Sequence, residues 1–191
     1  MTTNYTLDLA AGLTQVLDDG TNTYLYGNGR IAQAGSTTEY FLGDALGSVR
    51  QLVDPAGAVT LTQSYAPYGE TVSSAGSGMS AYQFTGEMRD ASGLTYLRTR
   101  YLDSITGRFI SRDTWSGLYT RPLSLNRWSY VEGNPIIFVD PTGKSPGVGW
   151  LSLPQYGIHF IGDEWDTSST IAVDSAVHAV GKAINRTIER P

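Results

Sequence analysis

The sequence predicts a mainly β protein made of short hairpins, followed by one C-terminal helix. Glycine and tyrosine are abundant, with 22 and 12 copies in 191 residues, whereas only 16% of the residues are charged. This composition favours short strands, tight turns and aromatic packing over a helical bundle. Segments of alternating apolar and polar residues, separated by turns, run from Tyr5 to Gly143. The turn form Asp-x-x-Gly occurs at Asp54–Gly57 and again at Asp90–Gly93, which indicates an internal repeat of hairpins.

Composition also narrows the functional class. The chain has no cysteine, which excludes a disulfide scaffold and cysteine-ligated metals. A net charge of −5 argues against a nucleic-acid partner. No apolar run approaches the roughly 20 residues that span a membrane, and the start of the chain lacks the pattern of a signal peptide. No motif for a metal or another cofactor is present, so we predict none.

The first half of the chain predicts a series of hairpins. The segment Tyr5–Leu17 begins as a half-buried strand, and Thr21–Ala34 reads as two strands around a glycine turn. Two further strands flank the Asp54–Gly57 turn, where proline suits the required φ. The Ser- and Gly-rich segment Ser73–Ser80 predicts a flexible surface loop.

The second half predicts strands at Tyr82–Glu87, Leu94–Tyr101 and Asn126–Tyr130, of which Leu94–Tyr101 alternates most regularly. The composition changes after Gly143, where proline and glycine mark a linker. We therefore divide the chain into a β module, residues 1–143, and a C-terminal tail, residues 144–191.

The tail predicts one amphipathic helix over about residues 170–189. Its apolar residues recur at helical spacing on one face: Val173, Val177, Val180, Ile184 and Ile188. We expect this face to pack on the protein's own β layer rather than on a partner. The tail also contains two histidines near acidic residues, but their spacing matches no metal or nuclease motif: His159, Asp163, Glu164, Asp174 and His178. Asp174 and His178 are i,i+4 neighbours on the predicted helix, and a simple side-chain pair explains them.

Several ordered motifs resemble one bacterial family. YLRTRYLD (Tyr96–Asp103), TGRFISRD (Thr106–Asp113) and NPIIFVDPTG (Asn134–Gly143) resemble the Rhs repeat-associated core. Upstream, LGSVRQLVD (Leu46–Asp54) and YAPYGE (Tyr65–Glu70) resemble YD repeats. The resemblance covers residues 5–143.

The resemblance implies a fold and a role. In this family the repeats spiral into a hollow β shell that holds a C-terminal toxin, and the core plugs the end of the shell. Residues 1–143 would then form a short piece of spiral and its plug, and the tail would be the variable segment of a polymorphic toxin. The implied partners are a parent Rhs shell or further copies that associate through strand edges. The implied location is secreted or at the cell surface.

The resemblance also implies an intramolecular aspartyl protease, which cuts after the residue that follows Asp-Pro-x-Gly. Matching residue by residue makes Arg112, Asp113 and Asp140 the catalytic candidates and Lys144–Ser145 the scissile bond. The chain departs from the family pattern at Thr114, where proline is usual, and at Lys144, where leucine is common. Two paired carboxylates suit acid–base work on a peptide bond. The alternative is that each aspartate only caps a turn.

Further alternatives stay open. Arginines interleave with aromatic residues between positions 98 and 128, which could bind single-stranded nucleic acid. Because the whole chain is acidic, we favour arginine–tyrosine stacking and carboxylate pairing inside a plug; the arginines are Arg98, Arg100, Arg108, Arg112, Arg121 and Arg127. Three functions remain: a shell-closing module with vestigial self-cleavage, a non-catalytic adhesive or self-associating surface module, or a small toxin or immunity-binding peptide in residues 145–191.

Overall fold

A computed structural model describes residues 4–10, 13–27, 29–144 and 146–148, and it confirms a mainly β fold. The predicted helix at 170–189 and the two histidines lie outside the described residues. The strands are β1 Thr6–Asp8, β2 Gln15–Asp18, β3 Thr23–Gly27, β4 Gly29–Ala34, β5 Thr38–Gly43, β6 Val49–Val53, β7 Val59–Tyr65, β8 Thr71–Gly76, β9 Met88–Arg89, β10 Thr95–Leu97, β11 Arg100–Asp103, β12 Arg108–Phe109, β13 Phe138–Val139 and β14 Gly147–Val148. Short 3-10 helices lie at Phe84–Gly86, Pro122–Leu125 and Val131–Gly133.

Strands β1 to β8 form one antiparallel sheet in chain order, so each strand pairs with its sequence neighbours. Every connection is therefore local, which is what hairpin patterning predicts. Phe41, Leu52 and Leu61 stand opposite one another on adjacent strands and bury one face of the sheet. Tyr24 packs there edge-on against Tyr82, with ring centroids 4.9 Å apart.

The Asp-x-x-Gly turn has one recurrent geometry. At Asp54–Gly57 the glycine N–H donates to the aspartate carbonyl at 3.0 Å, and Asp54 Oδ1 accepts the N–H groups of Ala56 and Ala58. The turns that begin at Asp44 and Asp90 repeat these bonds. Gly57 has φ +83°, a left-handed conformation that favours glycine. The repeat unit is thus a hairpin end capped by its own carboxylate.

A second, four-stranded sheet has the order β12-β11-β10-β9. Its core contains Leu97, Leu102, Phe109 and Tyr130. The segment before it meets the first sheet directly, because the Thr85 N–H donates to Ser48 Oγ at 2.9 Å. Residues of both sheets line a cavity of about 740 Å³. The two sheets therefore face a common cavity.

Four predicted elements differ from the structure. Leu94–Tyr101 is a hairpin, β10 and β11, because Arg98 adopts φ +59° and the Thr99 N–H turns back to the Leu97 carbonyl at 2.7 Å. Ser73–Ser80 is not all loop, since its first four residues belong to β8, where Ser73 pairs with Ser64 through their hydroxyl groups at 2.6 Å.

The other two differences are predicted strands. Tyr82–Glu87 contains the short 3-10 helix Phe84–Gly86, and the left-handed Thr85, with φ +50°, is incompatible with an extended strand there. Asn126–Tyr130 is a turn with one isolated bridge, Arg108 to Ser129. In this segment the backbone is satisfied by single long-range bonds, such as that from the Phe109 N–H to the Trp128 carbonyl at 3.0 Å, rather than by a ladder.

Candidate functional site

The fold brings Asp113 and Asp140 to one buried arginine. Arg100 begins β11, and its Nη2 lies 2.7 Å from Asp113 Oδ2 and 3.5 Å from Asp140 Oδ2. All three residues are buried, with exposed fractions of 6%, 6% and 2%. The guanidinium also stacks on Phe109, 3.5 Å from the ring centroid, and donates from Nη1 to the Arg127 carbonyl at 3.1 Å. The two carboxylates therefore share one cation.

Asp140 keeps the turn geometry of the repeats and adds a second role. The Gly143 N–H points to the Asp140 carbonyl at 3.4 Å, and Gly143 has φ +72°. Asp140 Oδ1 accepts the Lys144 N–H at 3.0 Å and the Thr142 hydroxyl at 3.2 Å. Its other oxygen, Oδ2, faces Arg100. Asp54 differs, because the described bonds of its side chain go only to N–H groups of its own turn. Turn capping and site formation are thus compatible at this position.

Asp113 also combines both roles. Its Oδ1 accepts the Trp115 N–H at 2.9 Å, and its Oδ2 makes the short ion pair with Arg100. The capping bond fixes the side chain so that its free oxygen points at the guanidinium. The Asp113 backbone N–H in turn donates to the Arg127 carbonyl at 2.9 Å. Asp113 is therefore fixed in its loop through both its backbone N–H and its side chain.

The electrostatics of the cluster are a balance of burial and pairing. Burial lowers the pKa of Arg100, and the nearby charges of Asp113 and Asp140 oppose that shift. Buried charges persist only when they are paired and hydrogen-bonded. Arg100 therefore offers both carboxylates a compensating positive charge. In this arrangement the cation engages each aspartate, whereas acid–base work needs one carboxyl to carry a proton.

Arg112 is exposed, unlike the buried residues of the cluster. The structure places Arg112 on the surface, and Arg100 supplies the guanidinium that contacts the carboxylates. From the sequence, Arg100 was expected only to stack on tyrosines or pair with carboxylates as one of six arginines. Its signal was its phase: Arg100 and Leu102 share the buried face of β11, where an apolar residue would be usual. A charged residue in the core phase of a strand indicates a buried partner.

The candidate scissile bond follows the Asp140 turn. Lys144 is exposed, and only its backbone N–H is bound to the turn, through Asp140 Oδ1 and the Thr142 hydroxyl. Strands β13 and β14 pair on either side, with Val139 opposite Gly147. The Lys144 carbonyl thus lies within a hairpin whose first strand leads directly into the aspartate.

Among the described residues no three His, Cys, Asp or Glu side chains are grouped to hold a metal ion. None of the described helices has the length and hydrophobicity of a membrane-spanning helix.

The chain matches one protein family and is similar in sequence to known bacterial toxin proteins. The model of the teneurin YD-shell family matches residues 3–136. Toxin subunit YenC1 of Yersinia entomophaga is 33% identical over 119 residues, which are 60% of this chain and 12% of that protein. The double-stranded DNA deaminase toxin A of Burkholderia cenocepacia (strain H111) is 28% identical over 159 residues, which are 74% of this chain and 10% of that protein.

A solved structure shows the same architecture. The crystal structure of TcdB2-TccC3-Cdc42 superposes with a TM-score of 0.57 at 26% sequence identity, over 70% of this chain and 7% of that one. The chain therefore spans about a tenth or less of the length of these relatives.

Proposed function

Because this chain belongs to the teneurin YD-shell family, we propose that it is the closing segment of a toxin-delivery shell. Strands β1 to β8 would continue the wall of the shell, and residues 82–143 would form its plug. The observation that carries this proposal is the cavity that residues of both sheets line together. The names of relatives such as toxin subunit YenC1 support the delivery role. The division into a module, residues 1–143, and a variable tail, residues 144–191, is part of the proposal.

The first strand supplies the surface on which the rest of a shell would continue. β1 is the end strand of the eight-stranded sheet, and Leu7 at its centre is 45% exposed. A sheet edge presents unpaired backbone groups that recruit another strand. A preceding strand of a parent shell fits this edge. The same edge favours the second candidate function, a non-catalytic self-associating or adhesive module, whereas the toxin-tail hypothesis falls outside the described residues.

An association measurement tests the edge. Light scattering at rising protein concentration should show dimers or larger species, and Leu7→Lys should weaken their formation because charge on an edge strand opposes strand addition. Val72→Lys is the matched control, since Val72 is 69% exposed on β8 at the opposite end of the sheet. A strict monomer, or equal weakening by both variants, would argue against continuation through β1.

We also propose a slow, vestigial self-cleavage of the Lys144–Ser145 bond by Asp113 and Asp140. In this hydrolysis a water oxygen bonds to the Lys144 carbonyl carbon while the bond to the Ser145 nitrogen breaks. One carboxylate takes a proton from the water, and a protonated carboxyl delivers one to the leaving nitrogen. The ion pairs with Arg100 oppose the protonated form, which supports a slow reaction. We assign an electrostatic role in this reaction to Arg100, whereas the family resemblance named Arg112 as the arginine among the catalytic candidates.

Lys144 supports slow cleavage as well. In the family leucine is common at this position, and a pocket suited to leucine would have to strip water from a charged ammonium group. The exposed position of the Lys144 side chain shows that it stays in solvent in the resting arrangement. Lys144→Leu should therefore raise the rate of cleavage.

A further inference from the structure

Three consecutive side chains of one turn bind three consecutive backbone carbonyls of another. Arg98 Nη1 donates to the Pro141 carbonyl at 2.5 Å, and the Thr99 hydroxyl donates to the Thr142 carbonyl at 2.7 Å. Arg100 Nε donates to the Gly143 carbonyl, which Thr99 also approaches at 3.0 Å. The β10–β11 turn thus holds the Asp140 turn by residues 141, 142 and 143 in register. We call this contact the carbonyl clamp.

Specific contacts hold the clamp on the side of the β10–β11 turn. Arg98 has φ +59°, a left-handed conformation that is unfavourable for an arginine. Its guanidinium is aimed by Glu87, whose Oε1 lies 2.6 Å from Nη1. Burial raises the pKa of Glu87, and the charge of Arg98 opposes that rise. An unfavourable backbone conformation persists only when the surrounding contacts stabilise it, and the bonds of the clamp are such contacts.

The two turns are also packed without a gap. A Cβ added to Gly143 would lie 2.3 Å from the Leu97 carbonyl oxygen and 2.7 Å from Thr99 Oγ1. No side chain at position 143 fits between the turns, so Gly143 lets the Asp140 turn lie directly against the β10–β11 turn. The Lys144 carbonyl is the first carbonyl beyond the clamp, and the Lys144 N–H is bound to Asp140.

We propose that Arg98 and Thr99 are positioning residues for the Lys144–Ser145 bond, with Glu87 orienting Arg98. Their described side-chain bonds go to the carbonyls of residues 141–143 and, for Arg98, to Glu87. By holding three preceding carbonyls they fix where the fourth lies relative to Asp113 and Asp140. This inference rests on the proposed self-cleavage.

Matched variants test the clamp in chains that carry Lys144→Leu, in which cleavage is expected to be faster. Thr99→Val removes the hydroxyl from an exposed site and opens no cavity, whereas Thr99→Ser retains the donor. Arg98→Met removes the other clamp donor, and Arg108→Met is its control, because Arg108 is exposed on the neighbouring strand β12. The readouts are the rate of formation of the fragment ending at residue 144, by intact mass, and amide hydrogen exchange at residues 142–144.

Thr99→Val and Arg98→Met should each slow cleavage by about 10-fold or more, since a displacement of about 1 Å can cost on the order of 100-fold in rate. Both should speed exchange of the Lys144 amide. Thr99→Ser and Arg108→Met should leave both readouts close to those of the parent chain. Rescue by serine separates a hydroxyl that positions the turn from a residue that only fills space.

Two other outcomes decide against the proposal in different ways. If the parent chain cleaves and Thr99→Val and Arg98→Met cleave equally fast, the clamp does not position the bond, and the proposed self-cleavage stands. If neither the Lys144→Leu chain nor the wild type yields the fragment, the proposed self-cleavage is wrong and the positioning role falls with it.

Discussion

At the scale of the residue, Arg100 is the centre of the buried cluster. One guanidinium joins Asp113, Asp140, and the carbonyls of Arg127 and Gly143, which come from three loops distant in sequence. The buried charge is therefore structural whether or not the aspartates react.

Removing Arg100 should destabilise the fold strongly. Arg100→Met leaves two buried carboxylates without their cation, which should cost about 3–5 kcal/mol of unfolding free energy. Arg100→Lys should recover only part of this loss, because one ammonium group cannot reproduce the separate bonds of Nε, Nη1 and Nη2. Chemical denaturation measures both, with the exposed Arg108→Met as the control, expected within about 0.5 kcal/mol of wild type. A loss from Arg100→Met as small as that of the control would contradict the buried cluster.

At the scale of the element, the repeated turn explains most of the hairpin architecture. The turn Ala66–Gly69 shows what the carboxylate adds. It has the backbone bonds of the aspartate turns, from the Ala66 N–H to the Glu70 carbonyl at 2.8 Å and from the Gly69 N–H to the Ala66 carbonyl at 2.9 Å. It lacks a side chain that can accept the N–H groups of Tyr68 and Glu70.

Ala66→Asp should therefore stabilise the protein by about 0.5–1 kcal/mol, because the new carboxylate can cap those two N–H groups. Asp54→Ala removes the equivalent cap and should cost about 1 kcal/mol. Thermal or urea unfolding of the two variants, and of the double variant, measures how much each carboxylate cap changes the unfolding free energy. Destabilisation by Ala66→Asp would show that the two turns are not equivalent.

The same turns explain what the sequence could predict. Strands β3 to β7 follow from residues that are adjacent in the chain, such as Asp54 to Ala58, so local patterning located them. The split of Leu94–Tyr101 depends on Arg98 in a left-handed conformation, which only contacts with Glu87 and Pro141 stabilise. The partnership of Arg100 with Asp113 and Asp140 likewise depends on distant loops. Resemblance to a family named the aspartates, but not the arginine that joins them.

At the scale of the whole molecule, buried tyrosines connect the stability of both cores to pH. Burial raises the pKa of Tyr24, Tyr65, Tyr82 and Tyr130 well above the ordinary value of 10.0. In the unfolded chain these groups release their protons near pH 10, whereas the folded protein retains them. The stability that they contribute is thus complete below about pH 10 and is lost as the pH rises further.

Unfolding free energy should be nearly flat from pH 8 to about pH 10 and should then fall steeply. The limiting slope is about 1.4 kcal/mol per pH unit for each tyrosine that stays protonated only in the folded state. Denaturation at several alkaline pH values measures the fall, and ultraviolet absorbance reports tyrosine ionisation in parallel. Ionisation of these tyrosines in the folded protein near pH 10, without loss of stability, would contradict their burial.

For the whole molecule, our central proposal is that Asp113 and Asp140 cleave the Lys144–Ser145 bond only slowly in this chain. Intact-mass measurement of freshly purified and aged protein tests this most directly. We expect wild-type protein to persist as the full 191-residue chain, and Lys144→Leu to yield a fragment ending at residue 144. Asp113→Asn and Asp140→Asn should each abolish that fragment. A Lys144→Leu chain that stays intact would contradict the account and would leave the two aspartates as turn caps paired with Arg100.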